Sequence, residues 1–132
     1  VFSNFWPGSG ADSDFPVKAF LYDDPNQLFR IATSNVVAAA NTEAEIRAAV
    51  FANIALATGN SGSTSTGLSS ATADLNTIAT TNTLALRIMG ILDDPANNDF
   101  TSAGIPLIVR INNHFNAPTG SIAAGTVSTT GV

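Results

Sequence analysis

The amino-acid sequence predicts a mainly β domain: a small β-sandwich or barrel with one short helix near residues 43–52 and extended terminal arms. Three observations favour this class. Two late apolar segments alternate with a period of two, one capping box opens the only clear helix, and Ser/Thr/Gly-rich stretches lie between the elements. The chain has 132 residues, enough for one domain with a single core. We expect an arm over 1–14, a β-rich domain over 15–115 and a flexible tail over 116–132.

The two clearest strands lie late in the chain, in "TLALRIMGIL" (83–92) and "IPLIVRINNHF" (105–115). One face of the first carries Leu84, Leu86, Ile88 and Leu92, and one face of the second carries Ile105, Leu107, Val109 and Ile111. Branched apolar residues at alternate positions are typical of a strand with one buried face. The intervening "DDPANNDFTSAG" makes these two strands a hairpin with a long connection.

Earlier segments predict a second hairpin and the helix. "DFPVKAFLYDDP" alternates and is followed, after a turn, by "NQLFRIATS", so residues 15–33 are predicted to form a hairpin. Thr42 and Glu45 make a T-x-x-E capping box, which predicts a helix that begins at residue 43. Residues 58–72 are rich in Ser, Thr and Gly and predict an exposed loop.

Large apolar side chains in the arm and the loop are the candidates for an interface. Phe2, Phe5 and Trp6 follow neither a helical nor a strand period, so they need a surface to lie on. That surface is either the core of the same chain or a neighbouring subunit. Leu68 is the one large apolar residue of the 58–72 loop and is the fourth candidate.

Composition restricts the function classes. Apolar residues make up 45% of the chain and charged residues only 11%, which predicts a packed domain with a Ser/Thr/Asn-rich surface suited to an assembly. The net charge is −5 and the five basic residues form no cluster in sequence, so nucleic acid is not an expected partner. The chain has no cysteine. Neither a signal peptide nor a membrane span is expected from the apolar runs.

Two Asp-Asp-Pro motifs, at Asp23–Asp24 and Asp93–Asp94, invite a chemical interpretation. Proline suits the second position of a type I turn, and a preceding Asp accepts a hydrogen bond from the backbone two residues on. We therefore expect both motifs to be turns. A structural cation held by Asp93, Asp94 and Asp99 stays open, although no EF-hand pattern is present.

The sequence contains only weak indications of an enzymatic site. A glycosidase carboxylate pair needs one acid in an apolar pocket, and every Asp here except Asp74 lies in a polar, turn-like stretch. His114 is the only histidine, and no G-x-S-x-G motif presents a nucleophile. We expect His114 to be a solvated residue at a strand end. The expectation is a protein that is not an enzyme and needs no cofactor or metal.

The order of these motifs resembles the head decoration (capsid cement) proteins of tailed bacteriophages, especially marine and cyanobacterial ones. The resemblance is carried by "AFLYDDPNQLF", by "GSTSTGLSSATADLNTIATTNTLALRIMGILDDPANN" and by "PLIVRINNH", over residues 19–30 and 59–114. It aligns Asp23–Asn26 and Asp93–Asn97 with two turns, and Leu84–Leu92 and Leu107–His114 with the closing hairpin. The start, the Ala-rich 36–58 stretch and the longer tail depart from the pattern.

The resemblance implies a β-rich accessory protein on the outer surface of the virion capsid. Its partners would be the major capsid protein and itself, as a homotrimer, and the motifs are structural rather than catalytic. The alternative is a carbohydrate-binding module on the virion surface, with Trp6 or Tyr22 stacking on a sugar ring. A hydrolase is the third and weakest interpretation.

Overall fold

The computed structural model describes residues 14, 16–37, 40–96, 99–114 and 116. They form five strands and one helix, in this order: β1 Leu28–Thr33, α1 Glu43–Ala48, β2 Asn53–Leu56, β3 Thr72–Ala79, β4 Leu86–Ile91 and β5 Pro106–Ile111. The strands close into a barrel in the order β1-β3-β2-β4-β5. The predicted class, mainly β with one short helix, is confirmed, and of the two architectures expected the barrel is the one observed.

The barrel is antiparallel except where β1 meets β3. That parallel contact is short, with Ala32 opposite Thr72 and Thr33 opposite Ala73. The β4–β5 hairpin is antiparallel and begins with Leu86 opposite Ile111. The predicted hairpin between the two late segments is therefore confirmed.

The two ends of the barrel are formed by different strand termini. At the lower end β1 begins at Leu28 and β5 finishes at Ile111. At the upper end β1 finishes at Thr33 and β5 begins at Pro106. The 57–71 connection leaves β2 and enters β3 at the lower end, because β3 is parallel to β1 and begins at the same end.

The core follows the predicted alternation. The described part of the core consists of the buried side chains of Ala40, Ile46, Ile54, Ala73, Leu75, Leu86, Ile88, Ile105, Leu107 and Val109. Leu86 and Ile88 come from one predicted face of β4, and Leu107 and Val109 from one predicted face of β5. Arg87 and Arg110 occupy the alternate positions and lie on the outside, because successive strand residues point to opposite faces.

The helix starts where the sequence predicts and stops earlier. Thr42 Oγ1 accepts the Glu45 N–H at 3.3 Å, and the Glu45 carboxylate accepts the Thr42 N–H at 3.0 Å, so the capping box is confirmed. The predicted end at residue 52 is wrong, since the helix ends at Ala48. Phe51 has a φ of 72°, which no helical residue can adopt, and the chain there turns towards β2. Ile46 is fully buried and fixes the helix to the barrel.

The predicted hairpin over residues 15–33 is wrong. Only its second half is a strand, β1, and residues 16–24 belong to no helix or strand. The reason is competition for β1: β5 pairs with it along Leu28–Ala32, and β3 takes the opposite edge at its end. Alternation alone shows that a segment could pair, and it does not show that a partner edge is free.

Two strands were missed by the sequence-based prediction. β2 is only four residues long, and β3 ("TADLNTIA") carries Asp, Asn and Ala, which are depleted in strands. The one signal for β3 is the pair Ala73 and Leu75, both buried and two residues apart. The 58–71 part of the predicted loop is a loop, closed by a bridge between Ser63 and Leu68.

Thr33 joins the upper end of β1 to the turn before β5. Its side chain is 2% exposed, and its Oγ1 accepts the Ile105 N–H at 3.1 Å and the Gly104 N–H at 3.2 Å. The Gly104 N–H also bonds to the Thr33 carbonyl at 2.9 Å, whereas the Ile105 N–H has no second acceptor among the described residues.

We expect Thr33→Val to lower the free energy of unfolding by about 1–3 kcal/mol, because it leaves a buried N–H unsatisfied at nearly constant volume. Urea unfolding followed by far-UV circular dichroism measures the change. Thr33→Ser keeps the hydroxyl and should lose clearly less stability. Equal losses in the two variants would show that the methyl group contributes as much as the hydroxyl, which would contradict the prediction.

Candidate functional site

Both Asp-Asp-Pro motifs are turns of the predicted kind. Asp24 Oδ1 accepts the Asn26 N–H at 2.8 Å, and the Asp24 carbonyl accepts the Gln27 N–H at 3.0 Å. In the second motif Asp94 Oδ1 accepts the Ala96 N–H at 3.1 Å. These bonds are Asx-turns, so one acid of each motif shapes the chain. The prediction that both motifs turn the chain is confirmed.

The possible cation site at the second motif is not assembled in the described residues. Asp94 Oδ2 lies 3.4 Å from a guanidinium nitrogen of Arg30, and Asp99 accepts bonds from Thr101 and Ser102. The hydroxyl of Ser102 and then that of Thr101 hold the pKa of Asp99 below its usual range. In the parts of the chain the structure describes, no three His, Cys, Asp or Glu side chains are grouped to hold a metal.

A small cleft lies beside this second turn. It encloses about 240 Å³ and is lined by Glu43, Arg47, Ile91, Leu92, Asp93, Asp94 and Phe100. Its charged groups largely pair within the chain, since Glu43 binds Arg47 and Asp94 binds Arg30. Side chains with internal partners at a shallow cleft give no indication of a ligand.

The prediction that His114 is solvated is wrong. Its side chain is only 10% exposed, although it lies just after the end of β5 as expected. The Nδ1 atom accepts the Asn116 N–H at 3.1 Å, so the ring proton belongs on Nε2, which faces Asp23 Oδ1 at 3.8 Å. Asn116 Nδ2 also donates to Asp23 at 3.0 Å. Within the described residues no hydroxyl bonds to the ring, and the histidine serves to hold Asp23 against the lower end of the barrel.

The residues that lead into this anchor form an exposed apolar stretch, residues 16–22, which we call the lead-in segment. Phe20, Leu21 and Tyr22 are each at least 80% exposed, and Val17 is 53% exposed. Residues 16–22 make no hydrogen bond to any part of the chain that the structure describes. The contacts of Asp23 with His114 and Asn116 hold the end of the segment. None of its side chains packs against the described core.

A second feature of the lower end is a pair of arginines on neighbouring strands. Arg87 on β4 lies directly opposite Arg110 on β5, and Arg110 is in turn opposite Leu28 on β1. The Arg87 guanidinium lies 6.0 Å from the centroid of the Phe51 ring. We call Phe51, Arg87 and Arg110 the arginine face. The pair sits at the end of the barrel to which Asp23 fixes the lead-in segment.

Phe51 is held in an unusual backbone conformation. Its φ of 72° is the left-handed region, and it is the one residue other than glycine with a positive φ in the described chain. Its N–H bonds to the Ile88 carbonyl at 2.8 Å, which fixes the backbone against β4. Its side chain is 61% exposed, so the ring gains little from burial. A bulky residue in this region is strained, and such strain is concentrated at functional positions.

Of the four residues that the sequence suggested for an interface, the structure describes only Leu68. Phe2, Phe5 and Trp6 lie outside the described residues. Leu68 is 69% exposed, in the 57–71 connection between β2 and β3. Tyr22, a candidate for sugar stacking, belongs to the lead-in segment at the lower end. Arg87 and Arg110 were not recognised as a pair, because their proximity depends on a strand register.

No helix in the described residues is long and apolar enough to cross a membrane. Comparison with protein-family models, with curated proteins and with solved structures finds no match to this chain.

Proposed function

We propose that the protein is a capsid decoration protein of a tailed bacteriophage, which attaches to the outer face of the head through its lead-in segment. The observation that carries the proposal is the exposure of Phe20, Leu21 and Tyr22 as one continuous stretch beside a closed barrel. The resemblance in motif order, read from the sequence, supplies the identity of the surface. No catalytic step is part of this proposal.

An exposed apolar stretch of this kind favours attachment to another protein. Scattered exposed apolar residues are common on soluble proteins, whereas contiguous ones mark interaction sites. Aromatic residues supply most of the binding energy at protein interfaces. The backbone of residues 16–22 makes no hydrogen bond to the described part of the chain, so it can add to the edge of a partner's sheet.

The composition supports a role in an assembly with many copies. Charged residues are 11% of the chain, which suits a protein that is normally covered by neighbours. A decoration protein works by adding many modest contacts across the seams between capsomers. As a homotrimer it would attach through three equivalent segments, and the linked contacts raise the effective affinity without further chemistry.

The experiment is co-sedimentation of the purified chain with decoration-free phage heads, with an unrelated capsid as the control. We expect saturable binding to the heads alone, with a plateau that gives the copy number per head. Binding to both capsids at the same level, or to neither, would refute the proposal.

Tyr22 gives the carbohydrate-binding alternative one specific observation, because its ring is 80% exposed and free to stack on a sugar. A glycan array separates the two functions. Specific glycan binding that Tyr22→Ala removes, together with no head binding, would favour the carbohydrate-binding module. An array without signal above background excludes that function for the sugars tested.

A further inference from the structure

The seam between β1 and β3 leaves part of one edge of β1 without a neighbouring strand. The two strands meet over only two residue pairs, the first of which places Ala32 opposite Thr72. Residues 28–31 of β1 lie below these pairs and are matched only by β5, on the other side of the strand. In the part of the chain that the structure describes, no strand pairs with the β3 side of residues 28–31. We call it the uncovered edge.

The strand pairing shows which backbone groups face the uncovered edge. The Thr33 N–H donates to the Ile105 carbonyl at 3.1 Å, so odd-numbered residues of β1 direct their backbone groups towards β5. Pro106 lies opposite an even-numbered residue and has no N–H to donate, which fits this alternation. The backbone groups of Leu28 and Arg30 therefore point to the uncovered edge.

These backbone groups are accessible. Leu28 is 49% exposed, and the side chain of Arg30 is 61% exposed. The Leu28 carbonyl accepts a hydrogen bond from the Gln27 side chain at 2.9 Å. The Leu28 N–H and both backbone groups of Arg30 have no partner among the described residues. An exposed strand edge with free N–H and C=O groups is a template for a further strand.

Two nearby segments do not fill the uncovered edge. The 57–71 connection enters β3 beside it, but it closes on itself through the bridge between Ser63 and Leu68 and makes no bond to β1 in the described chain. The lead-in segment is held on the other side of β1, because Asp23 contacts His114 beyond the end of β5.

The last part of the sequence starts close to this edge. Asn116 is fixed at the lower end by its bond to Asp23 at 3.0 Å, and residues 117–132 follow it outside the described residues. Residues 126–130, "TVSTT", contain four β-branched residues and no glycine or proline, a composition that favours a strand. Residues 117–125 connect them to Asn116. An extended chain covers about 3.3 Å per residue and neighbouring strands lie about 4.8 Å apart, so the connection is long enough.

We propose that residues 126–130 add to the uncovered edge as a further strand, parallel to β1 and in line with β3. The direction follows from the lower end, where β1 begins and from which the segment arrives. The segment of the same chain is the occupant, because a short tether gives it a higher effective concentration than a second copy has. The added strand would satisfy Arg30 and remove an edge through which copies could aggregate. The inference holds whether or not the chain binds phage heads.

Amide hydrogen exchange of the ¹⁵N-labelled full chain, followed by nuclear magnetic resonance, tests the proposal. Phe29 and Ile31 direct their N–H groups to β5 and are the internal references, protected with or without the added strand. We expect the Arg30 N–H to exchange at least about ten-fold more slowly than an unstructured amide, at every protein concentration. Nuclear Overhauser contacts between Arg30 and residues 126–130 should identify the occupant directly.

Variants within the segment make the test specific. Val127→Pro with Ser128→Pro removes one N–H from each alternating side of the added strand and should return Arg30 to the exchange rate of an unstructured amide. Phe29 and Ile31 should remain protected. The matched control, Val127→Thr with Ser128→Thr, keeps both N–H groups and a β-branched composition, so Arg30 should stay protected.

Three results would overturn the proposal. The first is an Arg30 N–H that exchanges as an unstructured amide while Phe29 and Ile31 are protected. The second is protection that increases with protein concentration, which would assign the uncovered edge to a second copy. The third is protection that survives in the proline variant, which would assign it to another segment. If the proline variant loses protection at Phe29 and Ile31, it is unfolded, and absence of the Overhauser contacts in the wild-type chain then refutes the proposal.

Discussion

Replacing Leu107 by alanine should lower the free energy of unfolding by about 2–5 kcal/mol, the range for a fully buried leucine truncated in a core. Leu107 is 0% exposed, and its strand pairs with β1 on one side and β4 on the other. Because both neighbouring strands are held in a closed sheet, the space left by the side chain cannot easily collapse. Urea unfolding at neutral pH measures the loss.

The matched control is Ile108→Ala on the same strand. Ile108 is only partly buried, and its side chain points to the outside of the barrel because it follows Leu107 directly. Its truncation should cost clearly less than that of Leu107. Similar losses at the two positions would mean that β5 is covered on both faces and that the barrel interior is not the main core.

The success of the β4–β5 prediction and the failure at residues 15–33 have a common physical origin. In β4 and β5 the alternating residues are large and branched, and burial of one face fixes both the strand and its register. Residues 16–22 alternate as well, but both of their faces carry apolar side chains, so the pattern does not decide which face should be covered. β1 pairs instead with β5 and β3. These partners are distant in sequence, so no local pattern could indicate the pairing.

The candidate site was less accessible to sequence reasoning than the fold. The turn role of Asp24 and Asp94 could be predicted, because an Asx-turn is formed within three residues of the chain. Arg87 and Arg110 are 23 positions apart, and their pairing follows only from the register of the hairpin. The left-handed backbone of Phe51 was equally hidden, because a phenylalanine after a helix gives no signal of positive φ.

The double variant Phe20→Ser with Tyr22→Ser should weaken binding to decoration-free heads by at least about thirty-fold. An interface hot spot contributes 2 kcal/mol or more, and a factor of ten corresponds to about 1.4 kcal/mol. Both side chains are at least 80% exposed, so the unfolding free energy should stay within about 0.5 kcal/mol of the wild-type value. Co-sedimentation at several protein concentrations measures the affinity, and urea unfolding measures the stability.

The lead-in segment itself provides the control that separates a specific contact from general stickiness. In a docked strand successive residues point to opposite sides, so Val17→Ser with Leu21→Ser alters the side of the segment that Phe20 and Tyr22 do not share. If the segment docks as a strand through its aromatic side, this second variant should lose less than about five-fold, which is roughly 1 kcal/mol. Equal losses in the two variants would indicate apolar adhesion without a defined geometry. Unchanged binding in both would exclude the segment as the attachment site and would leave Leu68 as the next candidate.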